Sequence, residues 1–395
     1  MRLRVVQVAP YPILPVRSGG KARIVQLARA LCRQGVDVTI IAPYHLTQRR
    51  ALAEREPFTL RQVAYAPFAI PFLLVDRPFP YGALVSFHPG YGALLPVSLG
   101  SFDVCQIDHP AFVDLTRRLP STVPVIYGSQ NVEFDYVSAE CRSDFVRRLA
   151  GGRVRALEAE LTRRAAGVFA CTEADARRFQ ELYAVSADQL TVLPNGIDLD
   201  AVDRERVRRA ARGAQGPNGR RRQAIFSGSD VAHNRAAVTT IVTRLAPALA
   251  GDVDFVIIGP CACARRGALP PNVQLKPDGD VADFAGTESV ALNPVTSGSG
   301  SSMKLLHYLA CDLPVLSTPF GVRGFDDLRP WIHIAELTAF ADALRGDIPA
   351  PVGHRAQLAQ YEWDAVAVRA ARIYADMANR PVTGARSAAP HHSPA

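Results

Sequence analysis

From Val5 to Ile41 the chain runs through one unit whose order leaves few folds open. The apolar stretch Val5–Ala9 ends at Pro10 and Pro12, and Ser18-Gly19-Gly20 follows as a glycine loop. Ile24, Leu27, Ala28 and Leu31 then recur at helical spacing up to Gly35, and Val38–Ile41 reads as a second strand. Strand, loop, helix, strand is a β-α-β unit, which joins parallel strands and predicts an α/β protein. The runs Asp103–Ile107, Val123–Tyr127, Gly167–Cys171 and Leu190–Leu193 continue the strand pattern, and Val146–Arg164 reads as an Arg-rich amphipathic helix.

A chain of 395 residues has room for two such domains. Pro194-Asn195-Gly196 marks a break, and residues 196–222, rich in Arg and holding Gly216-Pro217-Asn218-Gly219, read as a linker or basic surface loop. A second strand series follows at Ala224–Phe226, Asp254–Ile258, Val273–Leu275, Ser289–Leu292 and Pro314–Ser317. We therefore expect two doubly wound Rossmann-like domains, over 1–195 and 223–364, facing a central cleft. The periodic stretch Trp363–Met377 predicts a closing helix, with 365–378 packing back on the first domain, and the tail 380–395 is expected to be disordered.

Composition narrows the function classes. A net charge of +8 suits nucleic acid, yet the basic residues are dispersed outside Arg204–Arg222 and lack interleaved aromatic residues, so no nucleic-acid partner is expected. The seven Cys are scattered without zinc spacing, and no secretory signal opens the chain, so a cytoplasmic protein without a metal site is expected. The uncharged run Pro78–Phe102 is broken by His88-Pro89-Gly90 and Pro96, which argues against a membrane span. Pro67–Leu99 is unusually aromatic; it reads as core and lid packing or as a peripheral contact with a membrane surface.

In open α/β sheets ligands bind beyond the carboxyl ends of the strands, so chemistry is sought in those loops. The strongest candidate is Asn293–Ala310, where a strand gives way to a Gly/Ser loop and a helix predicted to begin near Ser301–Ser302, either of which can cap it. Free amide N–H groups there, with Lys304 on the first turn, suit a phosphate, and His307 lies one turn on. A dinucleotide fingerprint would need glycine at Met303, and a Walker loop is absent. Ser18-Gly19-Gly20-Lys21 is a second such loop. Only three of the 45 basic residues are lysines, and two of them, Lys21 and Lys304, stand on these two loops.

Gly19-Gly20 before a helix, Gln130-Asn131-Val132-Glu133 after a strand, Pro194–Asp198, the segment Gly298-Ser299-Gly300 to Lys304, and Pro314–Gly324 occur in register. Together they resemble the family-4 retaining glycosyltransferases of the GT-B fold. The resemblance implies a nucleotide sugar as co-substrate, UDP- or GDP-linked or similar, no other cofactor, and no metal. The sugar donor would bind mostly to the second domain, and a glycan, lipid-linked saccharide or small aglycone to the first. Gly19, Gly20, Lys21, Gly298, Ser299, Gly300, Ser301, Ser302 and Lys304 would surround the diphosphate, with Gly228 and Asn234 beside the donor.

Three features depart from the family pattern. A glutamate pair is replaced by Ser299 and His307, so that His307 would take the ribose hydroxyls or a phosphate. A histidine is replaced by Gln130, which can orient a hydroxyl but cannot act as a base. An Arg–Lys clamp is missing after Ala224–Phe226, with Arg235 as a substitute. His109, after Asp103–Ile107, is a candidate for the chemistry that Gln130 lacks; Glu133 and Asp135 are candidates for binding acceptor hydroxyls, and Glu173 is either a cleft residue or part of a helix cap. The other readings open at this point are a sugar-nucleotide epimerase of the same fold and a catalytically impaired binding subunit.

Overall fold

The structure is a computed structural model that describes residues 2–16, 18–44, 55–64, 99–141, 143–211, 221–264, 267–286, 288–298 and 300–380. The aromatic segment expected on a lid or membrane surface, apart from Leu99, lies outside these residues, as do Ser299 and the tail beyond Arg380.

Two parallel sheets organise the described chain. The first has the order β3-β2-β1-β4-β5-β6-β7, from β1 (Arg4–Val8), β2 (Asp37–Tyr44), β3 (Thr59–Ala64), β4 (Val104–Ile107), β5 (Val125–Gly128), β6 (Gly167–Ala170) and β7 (Leu190–Val192). The second has the order β10-β9-β8-β11-β12-β13, from β8 (Arg222–Ser227), β9 (Val253–Ile258), β10 (Val273–Lys276), β11 (Ser289–Asn293), β12 (Val315–Ser317) and β13 (His333–Ile334). Central strands such as β4 and β11 are buried along their whole length, as strands covered on both faces must be. The edge strands β3 and β13, absent from the sequence reading, carry no continuous apolar run.

The helices that matter for the site are α1 (Gly19–Arg33), α2 (Glu133–Glu140), α3 (Asp144–Arg164), α4 (Glu173–Tyr183), α5 (Leu199–Ala211), α6 (Ala232–Thr240), α7 (Lys304–Ala310) and α8 (Trp363–Ala378). Helix α5 occupies much of the stretch read as a linker. Its sequence supports a helix: Asp198 Oδ1 accepts the Ala201 N–H at 2.7 Å, and Asp203–Arg206 and Glu205–Arg208 pair one turn apart. Leu199 is buried in the second core with Ile225 and Leu305.

Helix α8 carries the chain back to the first domain, where Trp363, Val366, Ala370, Tyr374 and Met377 join the core around Val5, Ile24 and Leu27. The outgoing and returning segments run side by side. Ile197 N–H donates to the Tyr361 carbonyl at 2.8 Å, and Trp363 N–H donates to the Ile197 carbonyl at 3.1 Å.

Strand order reverses between β1 and β4 in one sheet and between β8 and β11 in the other. Loops leaving neighbouring strands on opposite sides of such a point open a crevice at the carboxyl ends of the strands. The loops after β1, β4, β8 and β11 therefore line a crevice for a reason of topology.

Candidate active site

One cleft of 1120 Å³ is lined from both sheets, by Tyr11, Gly19–Lys21, Asp108, His109, Gln130 and Glu133 on one side and by Gly228, His233, Asn234, Gly300–Lys304, His307 and Arg323 on the other. The two walls touch: Asn195 Nδ2 donates to Ser301 Oγ at 2.9 Å. Arg23 holds the crossover loop from below, donating to the carbonyls of Leu193 and Pro194 and to Asn195 Oδ1 at 2.8–3.1 Å.

The second wall is cationic. Lys304 Nζ donates to Asn234 Oδ1 at 2.7 Å and lies 4.3 Å from the centroid of the Phe226 ring. Burial pushes its ammonium down to about 7; Cys261 opposes this and Arg323 adds to it. Burial likewise pushes the Arg323 guanidinium, stacked 4.3 Å from the Phe320 centroid, down to about 10, against the pull of Asp175. Two half-buried cations, one of which adds to the cost of charging the other, suit a multiply charged anion.

Asn234 thus positions Lys304. Its Nδ2 donates to the Ser229 carbonyl at 3.0 Å, which orients the amide so that oxygen faces the ammonium. Arg235, expected as a clamp, is not among the cleft residues. It pairs with Glu140 at 3.3 Å and Asp230 at 2.9 Å, tying α6 to α2 across the two domains. On this wall of the cleft the arginine is Arg323, in the segment Pro314–Gly324, and only packing distinguishes it from Arg235.

The turn before α7 also differs from expectation. The helix starts at Lys304 with Met303 as N-cap and no side-chain cap. Both serines are used elsewhere: Ser302 Oγ accepts from Asn293 Nδ2 at 3.1 Å, and Ser301 Oγ accepts from Asn195. Gly298 does not line the cleft. Its φ is +128°, and a Cβ there would stand 2.9 Å from His233 Nδ1 and 3.1 Å from an Arg323 terminal nitrogen. The missing side chain therefore makes room for those two groups.

On the first wall, His109 is buried and its Nδ1 accepts the Ala111 N–H at 3.1 Å, capping the turn Pro110–Arg117. Its Nε2 faces the Glu133 carboxylate at 3.5 Å. The imidazole therefore orients this wall, and its capping nitrogen has no lone pair to offer a substrate. Asp108, one residue earlier, holds a carboxylate in the cleft wall, accepting from Gln7 Nε2 and Gln106 Nε2, each at 2.7 Å. Burial raises Asp108 to about 7 despite those two amides, Arg23 and His109. Asp135 pairs with Arg178 at 2.8 Å, and Thr172 Oγ1 accepts the Asp175 N–H at 2.9 Å, so Glu173 belongs to a helix cap.

Gln130 Oε1 accepts from Tyr11 Oη at 2.6 Å, directly over Gly20. A Cβ at Gly20 would lie 2.1 Å from that hydroxyl and 2.3 Å from Oε1. Gly20→Ala is therefore expected to cost about 1–3 kcal/mol, although alanine is the better helix former. Denaturant midpoints check this; a more stable variant would mean that the pair moves away freely. His307 lines the cleft near the Asp280 carboxylate, with Nε2 3.7 Å from Oδ1. Burial lowers the His307 pKa, and Asp280 opposes the shift.

Residues 17–201 match the family model Glycosyltransferase Family 4. A search of curated proteins finds no match. Among solved structures, a glycosyltransferase from Rickettsia africae superposes with a TM-score of 0.61 at 12% identity, over 96% of this chain and 100% of that one. HepE from Anabaena, in complex with UDP and glucose, gives 0.61 at 12% identity over 95% and 100%. A UDP-forming trehalose-phosphate synthase from Burkholderia xenovorans gives 0.62 at 15% identity over 96% and 100%. These likenesses establish the GT-B fold for the whole described chain.

Proposed function

We propose that the protein is a metal-independent, retaining glycosyltransferase that moves a sugar from a UDP- or GDP-linked donor to a glycan, a lipid-linked saccharide or a small aglycone. The observation that carries this reading is the convergence of Lys304 and Arg323 on a cleft whose facing wall is the Gly19–Lys21 loop. The family-4 match of the first domain supports the transferase class, and the UDP and glucose bound in HepE support the donor class.

Breaking the bond between the anomeric carbon and the phosphate oxygen builds charge on that oxygen. Lys304 and Arg323 stabilise it more strongly than the ground state, inside a protein wall where charges are poorly screened. Helix α7 places His307 one turn beyond Lys304, so that with the Asp280 carboxylate it accepts from the ribose hydroxyls. On the opposite wall Gln130 and Glu133 receive the acceptor, and Asp108, titrating near neutrality, exchanges a proton with its hydroxyl. We place this activity in the cytoplasm, at the inner face of a membrane when the acceptor is lipid-linked; no described helix is long and apolar enough to cross one.

The test is incubation with UDP- and GDP-sugars, with and without saccharide acceptors, following nucleoside diphosphate release and the anomer of the product. Release that survives a metal chelator, with the donor's anomeric configuration kept, is expected. Inversion, or loss of activity with chelator, would remove the corresponding part of the reading. Binding without release would point to the impaired binding subunit.

A further inference from the structure

His233 stands in the first turn of α6, beside the Asn234 that holds Lys304, and lines the cleft. Gly298 brings its imidazole and the Arg323 guanidinium against one stretch of bare backbone. The charged groups that act on it come from three elements: Lys304 on α7, Arg323 from the loop after β12, and Arg235 on its own helix. All three are cations. Together with burial, they push the imidazole down to about 3, so it stands neutral in the free protein.

We propose that His233 is a ligand of the donor diphosphate and takes up a proton from solvent when that diphosphate binds. The inference rests on the donor reading above. Its physical basis is the position of the group. An anion held by Lys304 and Arg323 sits within reach of the imidazole that both cations keep uncharged, and its two negative charges reverse the sign of the local field. The neutral ring offers one N–H to a phosphate oxygen; the protonated ring offers a charge-assisted one. No covalent bond changes, and the site gains one positive charge against the two that enter with the ligand.

The experiment is calorimetric titration of the full chain with UDP-glucose and GDP-mannose at about pH 6, in buffers of different ionisation enthalpy. Neither diphosphate diester titrates there. Lys304 is already about nine-tenths protonated at that pH, so it contributes little uptake. A return of His233 to an ordinary histidine value predicts an uptake of about three quarters of a proton per molecule bound. His233→Gln, which keeps a neutral amide donor, is expected to lose that uptake and to bind about tenfold more weakly. In the wild type, nitrogen NMR of labelled histidine should show one imidazole becoming imidazolium on titration, a readout that needs no variant. Binding with no proton uptake, or uptake that persists in His233→Gln, overturns this inference and leaves the donor reading standing. Failure of the wild type to bind any nucleotide sugar overturns both.

Discussion

Lys304→Ala is expected to lower kcat/KM for sugar transfer by about tenfold to a thousandfold, or about 1.4–4 kcal/mol of transition-state stabilisation. The ammonium sits over Phe226, bonded to Asn234, in surroundings that already push its pKa down to about 7. A cation held at that cost interacts strongly with the charge that forms on a leaving diphosphate. The sign of the pH dependence follows. The protonated form binds the anion, so nucleoside diphosphate affinity should fall as pH rises through about 7 in the wild type. That step should vanish in the alanine variant. Steady-state kinetics and binding at several pH values check both, and a silent variant would place the diphosphate elsewhere.

Glu158→Ala is expected to destabilise the first domain by about 3–5 kcal/mol, the cost of breaking a buried charged network on one side. The carboxylate is fully buried and accepts four hydrogen bonds, from Tyr127 Oη and Tyr183 Oη at 2.7 Å and from the N–H groups of Glu133 and Phe134 at 2.9 and 3.1 Å. It thereby joins α3 to the first turn of α2 and fixes Glu133 in the cleft wall. Burial raises Glu158 to about 7, against those hydrogen bonds and with a further push from Glu133. Between the ordinary glutamate value and 7 the folded state binds more protons than the unfolded one. Its contribution is therefore complete at acid pH and lost as pH rises through about 7. Glu158→Gln, which cannot titrate, should gain on the wild type between about pH 5 and pH 8. Denaturant midpoints at the two pH values measure this, and a difference independent of pH would contradict the linkage.

How much of this could be read in the sequence depends on what each element needs. Strands β1, β4, β8 and β11 were legible because burial on both faces demands continuous apolar runs, and the glycine loops because short turns between strand and helix leave few residue choices. Strand β13, only His333–Ile334, and the charged helix α5 had no such signature. Their stability comes from pairing with β12 and from burying Leu199 beneath polar neighbours. The cleft loops were legible, but the long-range partners of their side chains were not. Ser301 and Ser302 looked like caps and instead bond Asn195 and Asn293, residues 106 and 9 positions away. Arg235 looked like the clamp and is held by Glu140, while Arg323 lines the cleft. His109 caps a turn, whereas Asp108 beside it keeps its carboxylate in the wall.

The local order of residues determined two doubly wound units with phosphate-type loops at their strand ends, because hydrophobic period and backbone freedom act over a few neighbouring residues. Tertiary structure alone decided which charges meet in the cleft and how they titrate. Burial and the electrostatic field at Lys304, His233 and Asp108 are set by groups from several elements, distant in sequence and adjacent only once both sheets and the returning helix are in place.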